Sequence, residues 1–138
     1  MRRKGFTLLE VLIVVIILGV LAAIALPQYA NTIEKAKSGE ASANIGMVRS
    51  ALDRYWYQNS SLTTSFDDLD ITDPNDETER LFNYTITDNG TTSTLRLYTI
   101  RAVRVNNAST WVQWDQTDTA DTRTGRFTRS ANLGGPTE

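Results

Sequence analysis

The fold is decided by residues 5–29, which read GFTLLEVLIVVIILGVLAAIALPQY. Every residue from 6 to 26 is apolar except Thr7, Glu10 and Gly19. As an α-helix rising about 1.5 Å per residue, this stretch would span ~30 Å, the thickness of the hydrocarbon core of a bilayer. The sequence therefore predicts a helix that crosses a membrane once.

The residues before this stretch set its orientation. Arg2, Arg3 and Lys4 carry positive charge, and no acid lies among residues 1–5. Because cations beside a membrane span are retained on the cytoplasmic side, the chain from Pro27 onward is expected outside the cytoplasm. The sequence thus predicts a single-span membrane precursor.

Glu10 is the one ionisable residue inside the apolar stretch. A charged group within a membrane segment is unfavourable unless it has a partner, so such a residue is a functional candidate. Two simpler interpretations of the apolar stretch assign no function to Glu10. One is a plain membrane anchor, and the other is a signal peptide cleaved after the Ala23-Ile24-Ala25 sequence.

Gly5-Phe6-Thr7-Leu8-Leu9-Glu10 and the following run to Leu26-Pro27-Gln28-Tyr29 resemble the N-terminus of type IV pilins and type II secretion pseudopilins. The resemblance extends over residues 1–58 when the following amphipathic helix is included. It implies that a prepilin peptidase cleaves between Gly5 and Phe6 and methylates the new amine of Phe6. It also implies that Glu10 pairs with the Phe6 amine of a neighbouring subunit during assembly at an inner-membrane platform.

The function implied by the resemblance is structural, and no enzymatic activity is expected. The chain has no His and no Cys, which removes the usual general base and every thiol nucleophile. The main interpretation is the subunit of an extracellular type IV pilus, a helical homopolymer used in adhesion, motility or uptake. One alternative is the major pseudopilin of a periplasmic type II secretion pseudopilus, and a second is an exported soluble binding protein.

Gly19 and Pro27 interrupt the helical sequence pattern. Proline lacks the backbone N–H and clashes with the preceding turn, so a kink or local loosening between these residues is predicted. The alternative, that Pro27 only marks the end of the membrane span, stays open. The leader is assigned to residues 1–5 and the apolar helix to residues 6–27.

Residues 28–58 are predicted to continue as an amphipathic helix. Ala41, Ile45, Val48, Leu52 and Tyr55 repeat with spacings of four and three, which places them on one helical face. The charged residues of this segment lie largely at the other positions. This stripe is expected to pack against the rest of the chain.

Residues 59–138 are predicted to form an acidic loop followed by an antiparallel sheet, which gives an α+β fold. Phe82, Tyr84 and Ile86 alternate in a first strand, and Asp88-Asn89-Gly90 has turn chemistry. In the second strand, the face expected to be apolar carries Leu95, Leu97, Val103 and Val105. A third strand is predicted over 110–114, and a short edge strand over 125–128.

The acidic residues raise the question of calcium. Asp73 and the oxygen-bearing residues after it resemble a calcium loop, but Thr78 stands where an EF-hand needs glycine. Pseudopilins bind calcium through a C-terminal acidic loop, for which Asp115, Asp118 and Asp121 are the candidates here. No cofactor is therefore assigned, and calcium in an irregular site stays open.

Nucleic acid is not an expected partner. The chain has 14 Lys and Arg against 16 Asp and Glu, and three of the cations belong to the predicted leader. The remainder is acidic and repels phosphate. The expected partners are a second copy of the chain, the peptidase, the assembly platform and, before assembly, the membrane.

Overall fold

The computed structural model describes residues 6–135, in which one long helix precedes a four-stranded sheet. The helix is α1 (Leu8–Asn59), and the strands are β1 (Phe82–Asp88), β2 (Leu97–Arg104), β3 (Asn107–Thr117) and β4 (Gly125–Arg129). A 3₁₀ turn, Ala131–Leu133, follows β4. The predicted α+β fold is confirmed.

The chain divides into two compact units. The first unit ends at Glu34 and the second begins at Lys35. In its described part, the first unit consists of the N-terminal portion of α1 and the two residues before it. The second unit holds the rest of α1 together with all four strands.

The sheet of the second unit is an antiparallel meander in which the strands lie in the order β1-β2-β3-β4. Each strand pairs with the one that precedes it in sequence, so every connection is local. The third and fourth strands both form, and β3 is longer than the predicted 110–114. The register of β2 against β3 shifts between Val103 and Arg104.

The core of the second unit lies between α1 and one face of the sheet. Ala41, Ile45, Val48 and Leu52 are all fully buried, and we call these four residues the buried stripe. The predicted amphipathic helix is thus confirmed. The sheet contributes Phe82, Tyr84, Ile86, Tyr98, Ile100, Ala102, Val112 and Trp114, and Leu69 and Leu133 complete the cluster.

The predicted apolar face of β2 is wrong. Leu97 and Val103 are only half-buried and Val105 is exposed, whereas Tyr98, Ile100 and Ala102 are buried. The register explains the difference, because Ala102 lies opposite Tyr84 and Ile100 lies opposite Ile86. Residues that face each other across an antiparallel pair share one face, so β1 fixes which face of β2 enters the core.

The start of β4 depends on a close approach of backbone to an aromatic ring. A Cβ atom at Gly125 would lie 2.0 Å from Cζ2 of Trp114, so no larger residue fits there without displacing the ring. The Trp114 ring also meets Phe127 edge-to-face, with 4.9 Å between the ring centroids. Trp114 therefore joins β4 to the core.

Candidate assembly site

The N-terminus of α1 is closed by Thr7 and Glu10. The backbone N–H and the hydroxyl of Thr7 both donate to Oε2 of Glu10, each at 2.8 Å, and the Glu10 N–H donates to the Thr7 hydroxyl at 3.3 Å. This reciprocal pattern is a capping box, which satisfies backbone donors that the first helical turn leaves unpaired. The Glu10 carboxylate therefore has donors within its own chain.

Residues 6–26 form what we call the apolar segment. No large apolar side chain of the segment is buried: Phe6 is 88% exposed, Leu8 85%, and Ile13, at 49%, is the least exposed. The helix is long and apolar enough to cross a membrane. None of the described residues 6–135 buries this surface, which is of the kind that a bilayer or other copies of the helix would cover.

The helix continues through Pro27 without interruption. Because proline has no N–H, the carbonyl four residues earlier loses its usual helical donor. A Cβ atom at Gly19 would meet no neighbour within 4 Å. The predicted kink between Gly19 and Pro27 stays a prediction.

The predicted cleavage site lies only partly within the described residues. Phe6 is exposed and directly precedes the capping box, whereas Gly5 and the predicted leader lie outside the described residues. Cleavage after Gly5 and methylation of Phe6 therefore stay predictions, as does the pairing of Glu10 with a neighbouring amine.

The structure does not bring the three calcium candidates together. Asp115 accepts from Thr99 at 2.8 Å and from the Gln113 amide, Asp118 is buried against Arg96, and Asp121 is exposed. Between residues 6 and 135, no cluster of three or more acids has the geometry to hold a metal ion.

Asp118 belongs to a buried network of ion pairs. Nε of Arg96 donates to Oδ2 of Asp118 at 2.8 Å, and Nη1 of Arg96 donates to Oδ1 of Asp53 at 2.6 Å. The Gln116 amide adds a bond of 2.6 Å to Asp118, and the Tyr98 hydroxyl donates to Asp53 at 3.3 Å. The guanidinium thus supplies positive charge between two carboxylates and ties α1 and the segment after β3 to the residue that directly precedes β2.

The network shifts the titration of its members. Burial disfavours charge on Arg96, but the carboxylates of Asp118 and Asp53 outweigh it and raise the pKa of Arg96. Burial likewise opposes ionisation of Asp118, yet hydrogen bonds from Arg96 and Gln116 lower the pKa of Asp118. Burial, followed by the charge of Asp53, raises the pKa of Tyr98. Arg96 and Asp118 are therefore charged at neutral pH.

Two features of the structure, the capping box and the network around Arg96, were not predicted from the sequence. The capping box has a readable signal, a Thr followed three residues later by Glu before an apolar run. Arg96 has none, because its partners lie 43 and 22 positions away in the sequence.

Comparison with known proteins agrees with the resemblance inferred from the sequence. Residues 1–26 match the model of the prokaryotic N-terminal methylation motif. The chain is 41% identical over 69 residues to type II secretion system core protein G of Aeromonas hydrophila, which is 50% of this chain and 48% of that protein.

The chain is also similar to a fimbrial protein. It is 47% identical over 51 residues to type IV major fimbrial protein FimA of Dichelobacter nodosus, which is 37% of this chain and 33% of that protein. The chain thus spans less than half the length of the curated relatives it matches. No solved structure matches it. The resemblance to type IV pilins and type II secretion pseudopilins is confirmed.

Proposed function

We propose that this chain, a relative of type IV pilins and type II secretion pseudopilins, is the structural subunit of a type IV pilus filament. The observation that carries the proposal is the apolar segment, whose large apolar side chains are not buried by any described residue and which lies within the matched methylation motif. In a membrane the lipid tails cover this surface, and in a filament parallel copies of the helix do so.

Cleavage between Gly5 and Phe6 prepares the subunit for assembly. It removes three cations and leaves a positively charged amine on Phe6, four residues before Glu10. The carboxylate keeps free acceptor capacity beside its bonds to Thr7, since an ionised carboxylate has about four lone-pair sites. The amine of a neighbouring subunit then supplies a charge partner that Glu10 does not have among the described residues 6–135.

A second candidate function is the major pseudopilin of a type II secretion system. The observation that favours it is the longer match to core protein G, 69 residues against 51 for FimA. In that case the same helix would build a filament that stays within the cell envelope. Neither function needs a catalytic residue.

The test is to shear filaments from cells and to determine the intact mass and N-terminal sequence of the protein in the sheared and membrane fractions. A methylated Phe6 start in sheared fibres supports the pilus. The same start found only in membranes, with loss of protein secretion when the gene is deleted, supports the pseudopilus. A start at Leu26 or Met1 contradicts both functions.

A Gly5→Glu variant tests the cleavage step itself. A large charged side chain at Gly5 blocks close approach of a protease to the backbone, so only the uncleaved precursor is expected in membranes. Gly5→Ala is the matched control with the smallest added side chain, and it should retain at least partial cleavage. Mature protein from Gly5→Glu would show that cleavage occurs elsewhere.

A further inference from the structure

The chain contains a single Asn-Gly dipeptide, Asn89-Gly90, which directly follows β1. Both residues are exposed, so water reaches the side-chain amide of Asn89. Gly90 has a φ of 105°, in the left-handed region that favours glycine. Because glycine has no Cβ, its backbone nitrogen can approach the Asn89 side chain closely.

The backbone nitrogen of Gly90 is held by a neighbouring acid. Its N–H donates to Oδ1 of Asp88 at 3.0 Å, and the Thr91 N–H donates to the same oxygen at 2.7 Å. The bond from Thr91, which burial opposes and the bond from Gly90 reinforces, lowers the pKa of Asp88. The carboxylate is therefore ionised at neutral pH and lies within the distance at which a general base takes a proton.

The side-chain amide of Asn89 is held by a hydroxyl of the next strand. Nδ2 of Asn89 donates to Oγ1 of Thr99 at 2.8 Å, and the Thr99 hydroxyl donates to Oδ1 of Asp115 at 2.8 Å. The Asn89 N–H also donates to the carbonyl of Leu97 at 2.7 Å, which fixes its backbone against β2. The fold thus places a hydroxyl beside the nitrogen that would leave if the amide carbon were attacked.

We propose that Asn89 is a site of self-modification, at which the Gly90 nitrogen attacks the side-chain amide with Asp88 as the base. A bond forms between this nitrogen and Cγ of Asn89, and the bond between Cγ and Nδ2 breaks. The proton of the Gly90 N–H passes to Asp88 and then, through water, to the leaving nitrogen. Ammonia is released, and the backbone retains a cyclic imide.

Water completes the reaction by opening the imide. Its oxygen adds either to Cγ or to the backbone carbonyl carbon of Asn89, the bond from that carbon to the Gly90 nitrogen breaks, and the nitrogen regains a proton. Addition at Cγ gives aspartate. Addition at the backbone carbon gives isoaspartate, in which the chain continues through the former side chain. Water is the only co-reactant.

The modification changes the surface at the end of β1. The new carboxylate is negatively charged and accepts hydrogen bonds only, so it cannot donate to Thr99 as the amide does. Isoaspartate also lengthens the backbone between β1 and β2. The inference goes beyond the proposed function and does not depend on it, because the reaction needs only the folded second unit.

The reaction is measured on the purified full chain in detergent, incubated at neutral pH. Peptide mapping by mass spectrometry follows the conversion of each asparagine, and a protein isoaspartate methyltransferase detects isoaspartate. Asn107, which is also exposed but precedes Ala108, is the internal control. We expect Asn89 to convert at least about tenfold faster than Asn107, because a Cβ on the following residue hinders attack. Equal rates, or no conversion at Asn89, overturn the proposal.

Two variants test whether the fold assists the reaction. Asp88→Ser keeps an acceptor for the turn but removes the base, so it should slow conversion of Asn89 by at least about tenfold. Thr99→Val should also slow it, whereas Thr85→Val, at an exposed position of β1, is the matched control and should not. In denaturant all three variants should convert at the wild-type rate. An unchanged rate for Asp88→Ser in the folded chain overturns the proposal.

Discussion

The apolar segment and the buried stripe belong to the same helix, yet they follow different rules. The apolar segment has apolar residues around the helix and none of its large apolar side chains is buried, whereas the stripe is a single face whose four residues are fully buried. A one-sided apolar stripe packs against a single partner surface in its own chain. A helix that is apolar all round needs an apolar environment on every side, such as lipid or a bundle of copies of the helix. Mutations in the two regions should therefore affect different properties.

The largest effect is expected at Glu10, whose proposed charge partner belongs to another copy of the chain. Glu10→Ala should leave cleavage intact and lower filament yield by at least about tenfold, because it removes both the cap and the charge. The measurement is sheared filament protein per cell, with N-terminal sequencing of the membrane fraction.

Two further variants separate the two roles of Glu10. Glu10→Gln keeps an acceptor for Thr7 but loses the charge, and Thr7→Ala removes the cap but keeps the charge. We expect Glu10→Gln to assemble as poorly as the Ala variant, and Thr7→Ala to assemble better than either. Full assembly of Glu10→Gln would show that the cap is the essential role.

The next largest effect, a loss of folding stability, is expected at Arg96. Its buried ion pairs can be compared with the exposed pair of Arg54 and Asp70. Arg96→Met leaves the carboxylates of Asp53 and Asp118 without their counter-charge, so it should lower the free energy of unfolding by about 3–5 kcal/mol. Arg54→Met, which breaks an exposed pair with Asp70, is the control and should have little effect. Denaturant unfolding of the full chain in detergent, followed by Trp fluorescence, measures both. Equal losses would contradict the structural role of the buried network.

A matched pair of isoleucines tests the comparison directly. Ile45 is fully buried, and Ile16 is 57% exposed in the apolar segment. Ile45→Ala should lower the free energy of unfolding of the second unit by about 2–5 kcal/mol, because it leaves a cavity. Ile16→Ala should leave this quantity unchanged and affect filament yield only. If both variants unfolded alike, the difference between the two regions would be lost.

The smallest effect is expected from acid. The pKa of Asp118 lies below its ordinary value of 3.8 in the folded chain, so the unfolded chain binds this proton more readily. The stability that this pairing contributes is present above the ordinary value and is lost as pH falls through the folded pKa. Asp118→Asn should therefore flatten the decline of unfolding free energy below about pH 4. Asp121→Asn, at an exposed position, is the control, and a curve for Asp118→Asn that matches it would contradict the assignment.

Secondary-structure elements whose apolar residues all fall on one face could be predicted from the sequence. The spacing of Ala41, Ile45, Val48 and Leu52 leaves one choice of helical face, and the predicted end of α1 near Gln58 is one residue short of Asn59. In β2, by contrast, Leu97 and Val103 lie on one face of the strand and Tyr98, Ile100 and Ala102 on the other. Both faces therefore carry apolar residues. The pairing with β1 decides between them, and that pairing is a property of two strands.

The residues of the candidate site likewise fall into those that could be predicted from the sequence and those that could not. The local signal around Gly5, Phe6 and Glu10 lies within six residues and could be read directly, as could the cap formed by Thr7. Arg96 could not be recognised, because an arginine in an alternating strand looks like a solvated one until its partners on α1 and after β3 are placed beside it. Asp118 was accordingly considered only as a calcium candidate.

The capping box has a consequence for the order of events in maturation. The N–H that Thr7 donates to Glu10 belongs to the peptide bond between Phe6 and Thr7, which a cut between Gly5 and Phe6 leaves intact. If the chain is cleaved there, the capping box can persist, and the helix need not refold when its leader is removed. Maturation would then change only the charge beside an already finished helix end. In the precursor the Phe6 nitrogen is a neutral amide, so the missing positive charge, and not the conformation of the helix, would hold back assembly.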